Sequence, residues 1–377
     1  MNTCCESVGD ITTPRCVLEV SAADIRHNYE QLRRLCSARI IAVVKNNGYG
    51  LELVPYGKLL VDYGVDCLAV SSAEEGILLR QSGIEADILV MTPPETEECA
   101  CRIVTYGLIA AVGSLADILR LEAAAETTGA ECRMHVKIDT GFGRFGFMPE
   151  QALDTAQQLK KCCRLRVEGV FTHCGVLQPR QVKAQHTVFM QAAEVLDQVL
   201  EKRLCRHFCH SSLALKYPQF QLDAVRVGSA LLGRMAGAES LGLRPVGRLK
   251  GRVQDIHTMP AGSRPGYVGA ERLAAATRVA VVAAGWQDGF GLERRRDAVC
   301  PRELFSQLYQ LVAGAGRKRY VYYEGKTIPI LGHGGMNFTL LNASGSELAV
   351  GDWVMMQVNP LLVPMQVRRE YTEQRTE

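Results

Sequence analysis

From residue 39 to about residue 230 the sequence alternates short β-branched runs with segments of helical spacing, and this alternation restricts the fold more than any other feature. It is typical of βα units that build a parallel sheet. The eight candidate strands are residues 40–45, 67–70, 87–91, 108–112, 133–139, 167–173, 206–211 and 224–229. Eight units favour an α/β fold of the closed (β/α)8 TIM-like type over an open doubly wound sheet, which usually has fewer strands.

The sequence pattern changes beyond about residue 240, where Val-rich segments separated by Gly, Pro and Asn replace the βα alternation. This pattern predicts a second, mainly β domain with strands near residues 278–284, 320–323 and 353–358. We therefore expect a barrel domain over residues 13–240 and a C-terminal β domain over residues 241–377. Within residues 1–20, the run 17–20 is an extra strand that we expect to pair with the β domain.

The composition restricts the partners and the compartment. A formal net charge of +3 and a content of 6% aromatic residues do not indicate binding to nucleic acid or to an anionic membrane. Fourteen cysteines scattered through 377 residues, with no secretory signal peptide, predict free thiols in a reducing cytoplasm. Their spacings match no four-ligand zinc pattern, and no apolar run approaches the ~20 residues that span a bilayer. We expect a soluble protein without a metal site that acts on small molecules.

Lys45 ends the first predicted strand, and the carboxyl ends of barrel strands carry the active sites of this fold. The polar residues 46–50 that follow are expected to form a flexible loop. At a barrel mouth a lysine is partly desolvated and loses its proton, which makes it an amine nucleophile towards carbonyl groups. Position alone leaves a solvated loop lysine open as the alternative.

The last two predicted strands end in residues suited to binding phosphate. Ser211 ends the seventh strand, and Arg226 lies in the eighth just before Gly228 and Ser229. The loops after strands seven and eight of this fold commonly bind phosphate through backbone N–H groups and a hydroxyl. A lysine on strand one and a phosphate site on strands seven and eight together suggest pyridoxal phosphate. Tight packing at Gly228 and a turn role for Ser211 are the simpler alternatives.

Several stretches resemble motifs of the alanine racemase family, the fold type III pyridoxal-phosphate enzymes. Residues 43–50, VVKNNGYG, resemble the family's lysine motif, and residues 136–146, VKIDTGFGRFG, closely match another. Shorter matches follow in the family's order at residues 169–173, 210–211, 226–228, 265–267, 285–289 and 335–337. The resemblance covers nearly the whole chain. It implies an isomerase that interconverts L- and D-alanine for D-alanine biosynthesis.

The resemblance also implies two catalytic bases. Lys45 would carry the cofactor and act as one base, and Tyr267 of the partner subunit would act as the other. Racemisation in both directions needs this arrangement, because one base removes the α-proton and the other returns a proton from the opposite face. The expected protein is a homodimer with shared active sites.

The remaining site residues are assigned by the same resemblance. Arg226 would donate to the pyridine nitrogen, His173 would link Tyr267 to Arg226, and four residues would bind the phosphate: Tyr49, Ser211, Gly228 and Ser229. Arg144 and the backbone of Met336 would hold the substrate carboxylate. Lys137 stands where many family members carry a carbamylated lysine. His173 and Lys137 as satisfied barrel polar groups, and Arg144 as a solvated loop cation, stay open as alternatives.

Some positions depart from the family pattern: Asn46, Gly48, His210, Trp286, Gly335 and Asn337. Residues 290–318 look like an insertion. Asn359 aligns with a segment that normally carries a tyrosine, and the serine racemases of vancomycin-resistance operons look similar in carrying Asn there. The alternatives are therefore a serine or broad-specificity amino-acid racemase, or a non-catalytic pyridoxal-phosphate-binding protein.

Overall fold

The computed structural model describes residues 14–266, 272–292 and 319–373. The chain divides into two compact units, Ala22–Val246 and a second unit made of Met1–Ser21 with Gly247–Glu377. The first strand, β1 (Cys16–Ser21), belongs to the second unit. Tyr267 and most of the predicted insertion lie outside the described residues.

In the unit Ala22–Val246, eight parallel strands form a closed barrel, and β9 pairs with β2 to complete it. These strands are β2 (Arg39–Val43), β3 (Cys67–Val70), β4 (Asp87–Val90), β5 (Ile109–Val112), β6 (Cys132–Lys137), β7 (Leu165–Phe171), β8 (Cys205–His210) and β9 (Ala224–Val227). All eight predicted strands are confirmed, although several end one or two residues earlier than expected. The helices of this unit are Ala22–Leu35, Leu53–Asp62, Ala73–Gln81, Glu97–Thr105, Leu115–Thr128, Ala152–Leu159, Pro179–Leu200 and Ser211–Lys216.

Side-chain caps explain why several of these helices start where they do. Ser72, Thr96 and Ser114 each accept a hydrogen bond from the backbone N–H three residues ahead. Such a cap satisfies one of the unpaired N–H groups of a helix start and stabilises it by about 1 kcal/mol. Inside the barrel, alternate strand residues pack into one apolar cluster: Ile41, Val43, Cys67, Ala69, Leu89, Ile109 and Ala224.

The second unit is built on an eight-stranded sheet with the order β13-β12-β15-β10-β1-β16, and β11 and β14 extend it from β10. Its later strands are β10 (Arg248–Met259), β11 (Thr277–Val282), β12 (Tyr320–Tyr323), β13 (Lys326–Pro329), β14 (Thr339–Asn342), β15 (Trp353–Gln357) and β16 (Arg369–Thr372). β1 pairs antiparallel with β10 and parallel with β16, so the N-terminal strand lies within the sheet of this unit. The three predicted C-terminal strands are also present.

The fold class is the expected one, a (β/α)8 barrel with a mainly β C-terminal domain. Among the residues that the structure describes, no helix has both the length and the apolar character needed to cross a bilayer.

Candidate active site

A cavity of about 290 Å³ opens within the barrel unit, at the carboxyl ends of the strands. Eight of the sequence-predicted site residues line it: Lys45, Tyr49, Arg144, His173, Ser211, Arg226, Gly228 and Ser229. Its lining also includes Lys137, so among the described residues four cationic side chains and no carboxylate face this space. This excess of positive charge suits a ligand that bears phosphate and carboxylate groups.

The segment after Lys45, expected to be a loop, forms a left-handed turn. Asn46, Asn47, Gly48 and Tyr49 have φ values of 55°, 52°, 66° and 55°. Asn and Gly occupy this conformation more readily than other residues, because Gly has no Cβ and the short Asn side chain bonds locally. The Asn47 side chain does so here, since its Oδ1 accepts the Leu53 N–H at 2.9 Å. The turn directs the Tyr49 side chain into the cavity.

Glu75 anchors this turn to the neighbouring strand end. One carboxylate oxygen accepts the Asn47 N–H at 3.2 Å, and the other accepts the Ser71 N–H at 3.0 Å and the Ser71 hydroxyl at 2.9 Å. The pKa of Lys45 is lowered by burial and by the nearby Arg144 cation, and the Glu75 charge opposes that shift. Lys45 therefore has the partly desolvated amine that nucleophilic chemistry requires.

Tyr49, Ser211 and Gly228 converge at one wall of the cavity. The Ser211 hydroxyl accepts the N–H groups of Gly228 at 3.1 Å and Ala230 at 3.4 Å. A Cβ on Gly228 would lie 2.4 Å from the Tyr49 Oη, so only glycine lets the tyrosine ring lie this close to the backbone. Burial raises the pKa of Tyr49 to about 12, which keeps its hydroxyl protonated and able to donate.

His210, a departure from the family pattern, caps the helix that begins at Ser211. Its Nδ1 accepts the Ser212 N–H at 3.3 Å. An asparagine oxygen can serve as the same kind of acceptor, so the exchange keeps the local hydrogen bond. Burial, followed by the charge of Arg226, lowers the pKa of His210 to about 4, and the neutral ring keeps its acceptor nitrogen.

Arg226 is fixed on the cavity floor, where its residue is only 4% exposed. Its guanidinium donates to three backbone carbonyls: Thr172 at 2.5 Å, His207 at 2.7 Å and Phe208 at 3.4 Å. It also lies over the Phe171 ring, 5.2 Å from the ring centroid. Burial lowers its pKa to about 10, so the group stays protonated at neutral pH.

Two buried histidines continue from Arg226 into the barrel. Arg226 Nη1 lies 2.8 Å from His207 Nδ1, and His207 Nε2 lies 2.9 Å from His135 Nδ1. Because a guanidinium can only donate, His207 Nδ1 must accept, and its Nε2–H then donates to His135. Burial lowers the pKa of both rings, that of His135 to about 3, so both are neutral. Gly169 leaves room for this pair, since a Cβ there would lie 2.8 Å from the His135 ring.

His173 makes ring contacts with Phe142 and His210 at centroid distances of 4.7 and 5.4 Å. Among the described residues the histidine within hydrogen-bonding distance of Arg226 is His207. The link of Tyr267 to Arg226 through His173 stays a prediction, because Tyr267 lies outside the described residues. Burial, with the charge of Arg226 next in size, lowers the pKa of His173 to about 3.

The two remaining cations of the cavity, Arg144 and Lys137, each contact the faces of aromatic rings. The Arg144 guanidinium lies 4.7 Å from the Phe142 ring centroid, and Lys137 Nζ lies 5.3 and 5.7 Å from the centroids of Phe145 and Phe171. Ring faces stabilise a cation without neutralising it, so both groups keep their charge for a ligand. Burial, followed by the charges of Arg144 and Arg226, lowers the pKa of Lys137 to about 8.

Met336 belongs to the other unit and is 45% exposed. Its carbonyl accepts the Gln287 N–H at 3.1 Å, and the Gly335 carbonyl accepts the Trp286 N–H at 3.0 Å. Gly285 allows these segments to approach, because a Cβ there would lie 2.3 Å from both carbonyl oxygens. Asn359, also in this unit, accepts the Leu361 N–H at 3.2 Å and so caps a short 3-10 helix.

The sequence reasoning missed Glu75, His135 and His207. An available signal was the alternation of strand residues, since His135 lies two residues before Lys137 on β6 and faces the same interior. His207 is four residues before Ser211 on the predicted seventh strand. Glu75 had no such signal, because it lies in the first turn of a helix where acidic residues are ordinary.

Comparisons with known proteins agree with this geometry. Residues 20–235 match the family model described as "Alanine racemase, N-terminal domain", and residues 246–363 match "Alanine racemase, C-terminal domain". The chain is 30% identical over 357 residues to an alanine racemase of Desulfosudis oleivorans, covering 90% of this chain and 86% of that protein. It is 31% identical over 282 residues to an alanine racemase of Carboxydothermus hydrogenoformans, covering 72% and 76%.

Solved structures share the fold. An alanine racemase of Clostridium difficile superposes with a TM-score of 0.80 at 24% identity, covering 96% of this chain and 97% of that chain. One from a D-cycloserine-producing Streptomyces lavendulae gives a TM-score of 0.79 at 23% identity, covering 96% and 98%.

Proposed function

This chain belongs to the alanine racemase family, and from that premise we propose that it is an isomerase that interconverts L- and D-alanine with pyridoxal phosphate as its cofactor. The observation that carries the proposal is the cavity of the barrel unit, in which Lys45 and three further cations face a space to which no described residue contributes a carboxylate. An amino acid and a phosphorylated aldehyde together present the anionic groups that such a cavity favours.

The residues present fit pyridoxal phosphate. Tyr49, Ser211 and the Gly228–Ser229 segment offer hydroxyl and backbone groups at one wall, where a Cβ on Gly228 would collide with the tyrosine. Lys45 offers an amine with a lowered pKa. Arg226 offers a donor that stays charged at neutral pH; it would face the pyridine nitrogen and, because it keeps its proton there, would leave that nitrogen unprotonated.

Bound pyridoxal phosphate supplies an electron sink that makes the α-proton of an amino acid acidic. Lys45 would hold the cofactor through its ε-amine and exchange a proton with the substrate α-carbon on one face. Arg144, whose guanidinium is paired with no carboxylate among the described residues, would bind the substrate carboxylate together with the backbone of Met336. The Lys137 amine, unprotonated above its lowered pKa of about 8, would be open to carbamylation.

Tyr267 of the partner subunit would be the second base, in a homodimer with shared active sites. The motif Pro265-Gly266-Tyr267 in the family's order supports this assignment. His173 would contact that tyrosine from the cavity side. We also propose a cytoplasmic location, which is supported by the absence of any disulfide among the eleven described cysteines.

Replacing Gly228 with alanine is expected to weaken cofactor binding by at least about tenfold, because the new methyl group must push the Tyr49 ring out of place. Titration of the apoprotein with pyridoxal phosphate, followed by visible absorbance, measures this change. Gly83→Ala is a control for strain elsewhere in the barrel unit, since its φ of 90° strains an alanine although a Cβ there meets nothing within 4 Å. Equal cofactor affinity in Gly228→Ala and the wild type would contradict the assigned phosphate wall.

Replacing Tyr267 with phenylalanine is expected to lower kcat for racemisation by about 10²–10⁴-fold, the usual contribution of a general base, while the cofactor stays bound. If the site is shared, mixing inactive Tyr267→Phe and Lys45→Ala subunits should restore part of the activity. If subunit exchange is demonstrated but no racemase activity is recovered, the partner subunit does not contribute Tyr267 to the active site.

The substrate is tested by incubating the cofactor-loaded protein with single L-amino acids and measuring each D-enantiomer. We expect alanine to give the highest kcat/KM. A higher value for serine would favour the alternative raised by Asn359, and bound cofactor without turnover of any amino acid would favour a binding protein.

A further inference from the structure

We propose that Asp139 is a positioning residue for Arg144, whose carboxylate fixes the loop that aims the guanidinium at the substrate carboxylate. The inference rests on the proposed function, in which Arg144 binds that carboxylate.

The loop between Lys137 and Phe147 is closed at its base by two backbone hydrogen bonds. The Asp139 N–H donates to the Phe147 carbonyl at 2.8 Å, and the Phe147 N–H donates to the Lys137 carbonyl at 2.9 Å. On the neighbouring strand end, Gly113 packs against the loop, because a Cβ there would lie 2.7 Å from the Gly146 nitrogen. The base of the loop is thus held on both sides.

The Asp139 carboxylate holds the rest of the loop from within. Its Oδ1 accepts the N–H groups of Gly141 at 2.9 Å and Phe142 at 2.7 Å, and its Oδ2 accepts those of Gly143 at 2.8 Å and Arg144 at 3.2 Å. Four donors occupy all the lone-pair sites of one carboxylate, so Asp139 has no free site for proton transfer. These bonds lower the pKa of Asp139 against the effect of its burial. The carboxylate therefore stays charged at neutral pH.

The chain needs glycine to curl around this carboxylate. Gly141, Gly143 and Gly146 have φ values of 117°, 76° and 128°, a region that other residues rarely adopt. The left-handed φ values at Gly141 and Gly143 accompany the inward direction of the four N–H groups of residues 141–144. The loop conformation and the Asp139 charge consequently depend on each other.

Arg144 has little else to fix it. Its side chain is exposed, no described residue forms an ion pair with it, and its ring contact is with Phe142 of the same loop. The Asp139 carboxylate accepts the backbone N–H groups of both Phe142 and Arg144, so it fixes the backbone from which the guanidinium extends and the backbone that carries the ring it contacts. A displacement of about 1 Å is enough to lose most of the benefit of a binding group.

The variant Asp139→Asn tests the proposal, since it keeps the size of the side chain but points an NH2 group at two N–H donors. We expect the KM for L-alanine and the Kd for propionate, a carboxylate without the amine, each to rise about tenfold, with kcat changing less than about threefold. Calorimetric titration of the cofactor-loaded protein gives the Kd without turnover. Glu122→Gln is the matched control, because Glu122 also accepts a backbone N–H, from Cys163, but lies outside the cavity lining.

A double-mutant cycle separates positioning from a general structural role. If Asp139 acts through Arg144, Asp139→Asn should change propionate affinity less than about twofold once Arg144 is alanine. The same tenfold change in both backgrounds would overturn the proposal. An unchanged propionate Kd in the single variant, or no propionate binding by the wild type, would also overturn it.

Gly143→Ala provides a second variant should Asp139→Asn fail to fold. Its Cβ meets nothing within 4 Å, but its φ of 76° strains an alanine, so the loop is disturbed without loss of any functional group. Propionate affinity is expected to fall severalfold, and unchanged affinity would count against the proposal. Failure of the proposed function would show instead as propionate binding without formation of D-alanine.

Discussion

Replacing Lys45 with alanine is expected to abolish the visible absorbance of covalently held cofactor and to lower kcat/KM by at least about 10⁴, the upper end of what one general base contributes. The reason is that a single amine serves as both attachment point and base. Lys137, the other lysine of the cavity lining, lies over the rings of Phe145 and Phe171 at the end of β6, and we expect that it does not substitute for Lys45.

Absorbance spectra and D-alanine formation by Lys45→Ala and the wild type measure this effect. Lys58→Ala is the matched control, since Lys58 is exposed on the helix Leu53–Asp62. Lys45→Ala that retains the wild-type spectrum would show that the cofactor is attached elsewhere.

Replacing Arg226 with lysine is expected to lower kcat by at least about 100-fold and the free energy of unfolding by about 3 kcal/mol, even though the charge is kept. A lysine ammonium cannot reach three carbonyls and His207 Nδ1 at once, so buried acceptors are left without donors. The pyridine nitrogen would also lose its donor.

Denaturant unfolding and steady-state kinetics give the two quantities for Arg226→Lys. Arg203→Lys is the control, since Arg203 is an exposed member of an ion pair with Asp223. If Arg226→Lys keeps the wild-type kcat and the wild-type free energy of unfolding, then the several hydrogen bonds of the guanidinium are not needed for activity or stability.

The sequence allowed the barrel and one side of the cavity to be predicted, because their signals are local. The alternation of strands and helices, and the rule that barrel sites lie at strand carboxyl ends, were enough to bring together Lys45, Ser211, Arg226 and Gly228. Their pairing partners could not be predicted in this way. His207 and His135 are 72 residues apart in the chain, and only the closure of the barrel brings them into one hydrogen-bonded row.

The backbone conformation of the loops around the cavity was the second feature that could not be predicted from the sequence. Asn46 and Gly48 depart from the family pattern, yet both are residues that tolerate the left-handed turn observed there. Similarly, the sequence Asp-Thr-Gly-Phe-Gly-Arg that begins at Asp139 has no periodic pattern, so it does not predict that four N–H groups donate to one carboxylate. Departures at His210 and Asn359 also have local explanations, since each side chain caps a helical turn.

The formation of D-alanine tests the central claim most directly. The purified protein, loaded with pyridoxal phosphate, is incubated with pure L-alanine and, separately, with pure D-alanine, and both enantiomers are followed to the end point. Because enantiomers have equal free energies, the proposed racemase must bring both reactions to the same 1:1 mixture, and Lys45→Ala must leave each starting enantiomer unchanged. A cofactor-loaded wild type that converts neither enantiomer would contradict the proposed function.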